Sequence, residues 1–283
     1  MAVRFIVDSG SDILPAECER LGIIHLPLKV IFGEREYADA VDMTHREFYE
    51  KLVESDVMPT TSQVGPAEFA DAMERVVSAG DTAVVVTVSG KLSGTYQSAM
   101  IAASEYPGKV FVVDSENVSL GVRILVEYGL TLPQMGYDAQ QIAAELNAQK
   151  KQIHVIALLD TLEYLKRGGR ISSAVALAGS LLSIKPVAAI EDGAIVMAGK
   201  ARGSKQGNNL LRQLVEKSGG IDFSKPFCLA YSGLSDVLLR KYIEDSGELW
   251  KGKTDRLPIA TVGCTIGTHA GPGAIALAFY ENK

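Results

Sequence analysis

Apolar and polar positions along this chain repeat with two different periods, and the changes from one to the other outline the fold. Ala2–Val7, Thr82–Val88 and Val110–Asp114 are apolar almost throughout and rich in valine, as strands buried on both faces are. Between them lie stretches with helical spacing. Pro15–Leu21 is stopped by Gly22, the capping box Thr44-His45-Arg46-Glu47 opens a helix ending near Ser55, and Pro66 starts one that stops at Gly80. Tyr96–Ala103, Val122–Leu132 and Asp138–Lys150, with Asp138 as N-cap, complete the set. Ile23–Phe32 reads as one extended run before the hairpin-like turn Gly33-Glu34-Arg35-Glu36, and Met58–Gln63 reads as a polar loop. Strands alternating with helices of this length predict βαβ units and a mostly parallel sheet.

The second half changes character. Ile153–Leu159 is a strand; Asp160–Ile171 is half helical and then broken by Gly168 and Gly169; Ser172–Leu182 is a small, apolar helix that would be buried on most sides. Lys185–Ile190 and Ala194–Gly199 flank Glu191-Asp192-Gly193, and an Asp-Gly pair in that setting signals a hairpin. A helix (Ser204–Ser218), a strand (Pro226–Tyr231), a helix (Asp236–Glu244), a strand (Ile259–Val262), a loop (Gly263–Gly273) and a final strand (Ala274–Tyr280) follow. The expected fold is α/β with two domains. Residues 1–160 form a parallel-sheet βαβ unit, and residues 161–283 form a smaller mixed α/β unit.

Composition narrows the class. A hydrophobic content of 47% and a charged content of 22% are those of a folded globular chain. The first residues lack the apolar core and cleavage site of a signal peptide. No apolar run reaches the roughly 20 residues of a membrane span, so a cytoplasmic protein making at most transient membrane contact is expected. The three cysteines, Cys18, Cys228 and Cys264, are far apart and form no CxxC, which indicates neither a disulfide framework nor a zinc site. A net charge of −6 argues against a nucleic-acid binder. Lys166, Arg167, Arg170, Lys185, Lys200, Arg202 and Lys205 nevertheless face only Glu191 and Asp192 within 166–205, a local excess of +5. That excess either docks an anion or an acidic partner, or consists of solvated loop charges.

The stretch carrying the most chemistry is Val88-Ser89-Gly90-Lys91-Leu92-Ser93-Gly94-Thr95-Tyr96-Gln97-Ser98, between a buried strand and a helix. Ligands of α/β sheets bind outside the carboxyl ends of strands, where such turns lie. Gly90 and Gly94 are expected to permit backbone turns that a side chain would forbid. Ser93 is expected to be the N-cap of its helix, with free N–H groups converging on a small anion. Its hydroxyl either only caps or also donates to a carboxylate or phosphate. Gly90-Lys91-Leu92-Ser93-Gly94 is one residue out of step with the hydrolase elbow G-x-S-x-G, and no P-loop occurs. Asp8 and Asp114, each ending a strand, are read as caps of the following turns ahead of a Mg²⁺ site, and His25, His45 and His154 as structural.

Five stretches, in order, match one known family: Val7-Asp8-Ser9; Pro59-Thr60-Thr61-Ser62-Gln63; Leu92-Ser93-Gly94-Thr95-Tyr96-Gln97-Ser98-Ala99; Asp160 to Ile171; and Thr268-His269-Ala270-Gly271-Pro272-Gly273. The chain resembles the DegV family, the fatty-acid-binding proteins of bacterial fatty acid kinase systems. The resemblance implies a non-catalytic carrier that buries one long-chain fatty acid, such as palmitate, between two domains and needs no cofactor or metal. It implies that Thr61, Ser93 and His269 hold the carboxylate, with Ser62, Gly94 and Thr95 beside them. Arg202, with Arg170, is implied to serve the phosphate and the partner, the catalytic subunit of the kinase. Gly90 stands where a serine is common, and Val187-Ala188-Ala189 is softer than usual, which would alter the cavity wall. Ala174, Ala176, Ala178 and Gly179 either line the tunnel or pack as an ordinary helix. An imidazole able to carry a proton would complement the acid. Two rivals stand beside this reading: a serine-dependent acyl hydrolase or transferase using Ser93 with His269, and a phosphate-ester sensor using the basic segment.

Overall fold

A computed structural model of the protein describes residues 2–171 and 184–282. The first part of the chain runs β1 (Val3–Asp8), α1 (Pro15–Leu21), β2 (Ile23–Leu26), β3 (Lys29–Phe32), β4 (Arg35–Ala38), α2 (His45–Glu54) and β5 (Thr60–Ser62). It continues through α3 (Pro66–Ser78), β6 (Thr82–Thr87), α4 (Thr95–Ala103), β7 (Val110–Asp114), α5 (Leu120–Gly129) and α6 (Ala139–Gln149). Next come β8 (Ile153–Leu158), α7 (Glu163–Arg167), β9 (Ile184–Glu191), β10 (Ala194–Arg202) and α8 (Gly203–Lys217). The chain ends with β11 (Cys228–Tyr231), α9 (Val237–Asp245), α10 (Gly247–Trp250), β12 (Ile259–Thr261), α11 (Cys264–Ala270) and β13 (Ile275–Tyr280).

Three sheets result. The first is fully parallel, in the order β2-β1-β6-β7, with Val7 level with Val86 and Thr87 with Asp114. The second, β10-β9-β8-β13-β11-β12, is antiparallel except for the β11–β12 pair. A small antiparallel sheet, β4-β3-β5, leans on α2 and α11. The chain is thus a two-domain α/β protein. Strand β8, which the sequence attaches to the first domain, pairs in the second sheet, so sheet membership changes ahead of Ile153.

The two large sheets share one core. Phe5, Val7, Val84 and Val86 of the first pack in the same cluster as Val155, Ala230 and Ala278 of the second. Helix α5 lies between the sheets and buries Leu120, Gly121, Val122, Ile124, Leu125, Val126 and Gly129, which explains why its apolar residues are not confined to one stripe. Each buried valine or leucine contributes roughly 1.5–3 kcal/mol, so this shared core fixes one domain against the other. Along β8 the pleat sends Ile156 and Leu158 into the outer core with α8 and α9, while Val155 and Ala157 face inward.

Several elements differ from the sequence reading. The extended run Ile23–Phe32 splits at Pro27, so that β2 joins the parallel sheet and β3 the small one. Met58–Gln63 is not only loop: Thr60–Ser62 forms β5 against β3, with Thr61 level with Val30. Gly263–Gly273 contains the helix α11, which its own residues would not sustain. Asp192 and Gly193 both take positive φ at the β9–β10 turn, as the Asp-Gly signal requires. The apolar helix expected over Ser172–Leu182, with Ala174, Ala176, Ala178 and Gly179, lies outside the described residues.

Candidate functional site

The inward faces enclose a cavity of about 450 Å³, a size that suits a small organic ligand. Gly10, Val88, Ser93 and Ser119 line it from the loops at the carboxyl ends of β1, β6 and β7, where a parallel sheet offers its binding crevice. Val155, Ala157, Ala188, Ala189, Ile190, Ala274 and Ala276 form the wall given by the second sheet. Of the softened stretch noted in the sequence, Ala188 and Ala189 are therefore in that wall. Leu28, Val118, Leu120, Leu159, Leu165, Ile195, Val262 and Ile266 complete a mostly apolar surface.

Besides Ser119 and Thr265, the polar lining residues come from neighbouring segments. Thr61 on β5 and His269 in the last turn of α11 are joined by a 2.9 Å hydrogen bond between Oγ1 and Nε2. Ser62, Gln63, Ser93, Gly94 and Arg170 line the same cavity. Ser93 Oγ and Thr95 Oγ1 lie 2.9 Å apart, and the Thr95 N–H donates to Ser93 Oγ at 3.3 Å. Thr95 itself is buried behind the loop and is not part of the lining. Helix α4 begins at Thr95 with Gly94 in the N-cap position, so Ser93 is not the N-cap residue expected, although it does accept the first helical N–H. Neither Gly90 nor Gly94 takes a positive φ. The requirement at Gly94 is space: a Cβ there would collide with the Gln63 side-chain amide.

Arg170 braces these segments across the domains. Its Nε donates to the Leu92 carbonyl at 3.1 Å, one residue before Ser93, and its Nη1 donates to the Gly168 carbonyl at 2.6 Å. Burial, with Arg170 nearby, lowers the His269 imidazole to about 4. Without a ligand the ring is therefore neutral at pH 7. Its Nδ1 is buried with no hydrogen-bond partner among the described residues and packs on Gly168, where a Cβ would overlap it.

Helix α11 is capped from the first domain. Asp39, just after β4, accepts the N–H groups of Cys264 and Thr265 at 3.1 Å each, and Asp12 Oδ1 accepts that of Gly263 at 2.9 Å. Sequence reasoning missed both carboxylates, since each lies more than 220 residues from the helix it caps and no local pattern marks it. Asp8 caps the Gly10 N–H and Asp114 that of Glu116, as read from the sequence.

Two expectations lose support. Ser93 shares its hydroxyl with Thr95 and His269 its Nε2 with Thr61, so no base meets the serine and no carboxylate orients the imidazole among the described residues. In the basic segment, Arg167 pairs with Glu163 and Lys185 with Asp160, each at 2.6 Å, so two of its cations are neutralised by acids lying just before it. Arg202 is exposed at the end of β10, outside the cavity lining. No group of metal-binding side chains occurs among the described residues, and none of their helices is long and apolar enough to cross a membrane.

A family model described as "Uncharacterised protein, DegV family" matches residues 2–282. The chain belongs to the DegV family. A DegV domain-containing protein of Deinococcus radiodurans is 33% identical to it over 283 residues, covering 98% of each chain. Among solved DegV structures, a fatty-acid-binding protein from Thermus thermophilus is 34% identical and superposes with a TM-score of 0.89 over the whole of both chains. A stearic-acid-binding protein from Eubacterium ventriosum, 26% identical, gives a TM-score of 0.86 over 99% of this chain and 98% of its own. DegV of Bacillus subtilis, described as a fatty acid binding protein, is 26% identical with a TM-score of 0.83 over both full chains.

Proposed function

We propose that the protein binds one long-chain fatty acid in this cavity and presents its carboxyl group to a partner kinase, without a catalytic cycle of its own. The observation that carries the reading is the segregation of the cavity: apolar walls from both sheets, and Thr61, Ser93 and His269 together at one end. A hexadecanoyl tail buries about 14–15 methylenes at roughly 0.8 kcal/mol each, a gross gain near 12 kcal/mol before the costs of association. The carboxylate must then find donors, because an unpartnered charge taken from water is prohibitive. The Ser93 hydroxyl and the Thr61 hydroxyl, the latter left free to donate when His269 Nε2–H donates to its oxygen, supply them without a buried counter-ion. The fatty-acid-binding relatives from Thermus thermophilus and Bacillus subtilis, matched over their whole length, favour the same ligand class.

Presentation is supported by where the polar end lies. Gln63 and Gly94 are solvent-exposed beside Thr61 and Ser93, so the head group would sit near the surface. Arg202 is exposed and outside the lining, which supports a role toward a partner or a phosphate rather than toward the carboxylate. The test is calorimetric titration of palmitate into delipidated protein. Saturation at one molecule per chain, weakened in Thr61→Ala, is the expected result; no heat and no competition by other acyl chains would refute it.

A further inference from the structure

The cavity explains where a ligand fits but not what holds His269 on Thr61. Helix α11 is short, contains Gly267, and is built of residues with modest helix propensity, so its position must come from outside. The small sheet β4-β3-β5 reaches it at both ends. Thr61 on β5 meets His269 in the last turn, and Asp39, the residue after β4, takes the N–H groups of Cys264 and Thr265 in the first. Strand β3 joins these two contacts, pairing Lys29 with Ala38 on one side and Val30 with Thr61 on the other. Asp39 also receives the Ser9 hydroxyl at 3.0 Å, and Ser9 Oγ in turn accepts the Leu28 N–H at 3.0 Å. The carboxylate is 1% exposed, and its bonds to a helix N-terminus are of the strong, charge-assisted kind.

We propose that Asp39 is the positioning residue of the head-group site: by fixing the start of α11 to the sheet that carries Thr61, it sets the height and orientation of His269 and so makes the cavity selective for an acid over a neutral lipid. The proposal rests on the fatty-acid reading above. Each Asp39 oxygen takes a different helix N–H, so an asparagine in the same pose would keep one of these bonds and turn an N–H₂ toward the other N–H; Asp39→Asn weakens the grip with little change of volume.

The experiment measures palmitate and hexadecanol affinities by calorimetry and, without ligand, the ring ¹⁵N signals of His269 by NMR, in the natural protein and in Asp39→Asn. The expected result is a roughly tenfold or greater loss for palmitate, hexadecanol within about twofold, and displaced His269 signals. Equal loss for both ligands would mean a merely structural role, and unchanged His269 signals with unchanged palmitate affinity would overturn the proposal outright. If Asp39→Asn does not fold, Ser9→Ala, which removes one donor from Asp39, is expected to give a smaller loss confined to palmitate; no loss, or an equal one, counts against the proposal. Failure of the natural protein to bind palmitate would instead strike the underlying reading, while the His269 signals of the unliganded variants still report on Asp39.

Discussion

Thr61 and His269, 208 residues apart in the chain, meet at 2.9 Å and close the polar end of the cavity. One comes from the middle of a three-residue edge strand and the other from the last turn of a helix too short to stand alone. Their meeting orients the Thr61 hydroxyl: with the imidazole N–H donating to its oxygen, the Thr61 O–H is free to donate into the cavity.

Removing a donor should therefore cost binding without costing the fold. Ser93→Ala is expected to weaken palmitate by about 1–3 kcal/mol, the usual penalty for leaving a buried acceptor unpaired. Its unfolding midpoint in urea should stay close to that of the natural protein. An unchanged affinity would remove Ser93 from the site.

The alignment of the imidazole depends on the absence of a side chain at residue 168. Gly168→Ala would drive a Cβ into His269 Nδ1, which cannot be accommodated without moving the ring or the α7 turn. We expect overpacking of about 1–3 kcal/mol in stability and a clear loss of palmitate affinity. Normal binding by Gly168→Ala would show that the ring orientation is immaterial.

Titration should expose the buried histidine. Its pKa is lowered to about 4 from an ordinary 6.5, so its neutral form adds stability that is present above pH 6.5 and lost as pH falls through 4. Asp8 and Asp12, raised by burial to about 7 from 3.8, act in the opposite sense: their contribution is present below 3.8 and fades as pH rises through 7. His269→Gln should therefore lower stability at pH 7 relative to that at pH 4 by up to about 3 kcal/mol. Urea unfolding at both values measures it, and an unaltered difference would mean that the imidazole titrates normally.

The apolar wall makes a separate demand. Ala188 and Ala157 are level on β9 and β8 and both line the cavity. Ala188→Leu should reduce affinity for an eighteen-carbon acid more than for a twelve-carbon one. Parallel losses would place the chain elsewhere.

Arg202→Ala bears on presentation. Fatty-acid affinity should be retained while acyl-phosphate formation by the kinase falls; loss of both together would make Arg202 structural.

Much of the fold is legible in the sequence because it is local. The valine runs of β1, β6 and β7, the capping boxes at Thr44 and Asp138 and the Asp192-Gly193 turn all depend on residues within a few positions of one another. Thr61, Ser93 and His269 are legible through motif resemblance, and the structure brings them to one cavity. What escapes is held by distant partners. Thr60–Ser62 becomes a strand only because β3 offers an edge, and Cys264–Ala270 becomes a helix only because Asp12 and Asp39 satisfy its first N–H groups. No periodicity in a seven-residue stretch announces a cap supplied by another domain.

The most direct test of the bound acid is mass spectrometry of an organic extract of the protein purified from bacteria. A long-chain fatty acid at close to one molecule per chain is expected, displaced by added palmitate and diminished in Ser93→Ala. Extracts without lipid, from protein that also takes up neither palmitate nor oleate, would contradict the account.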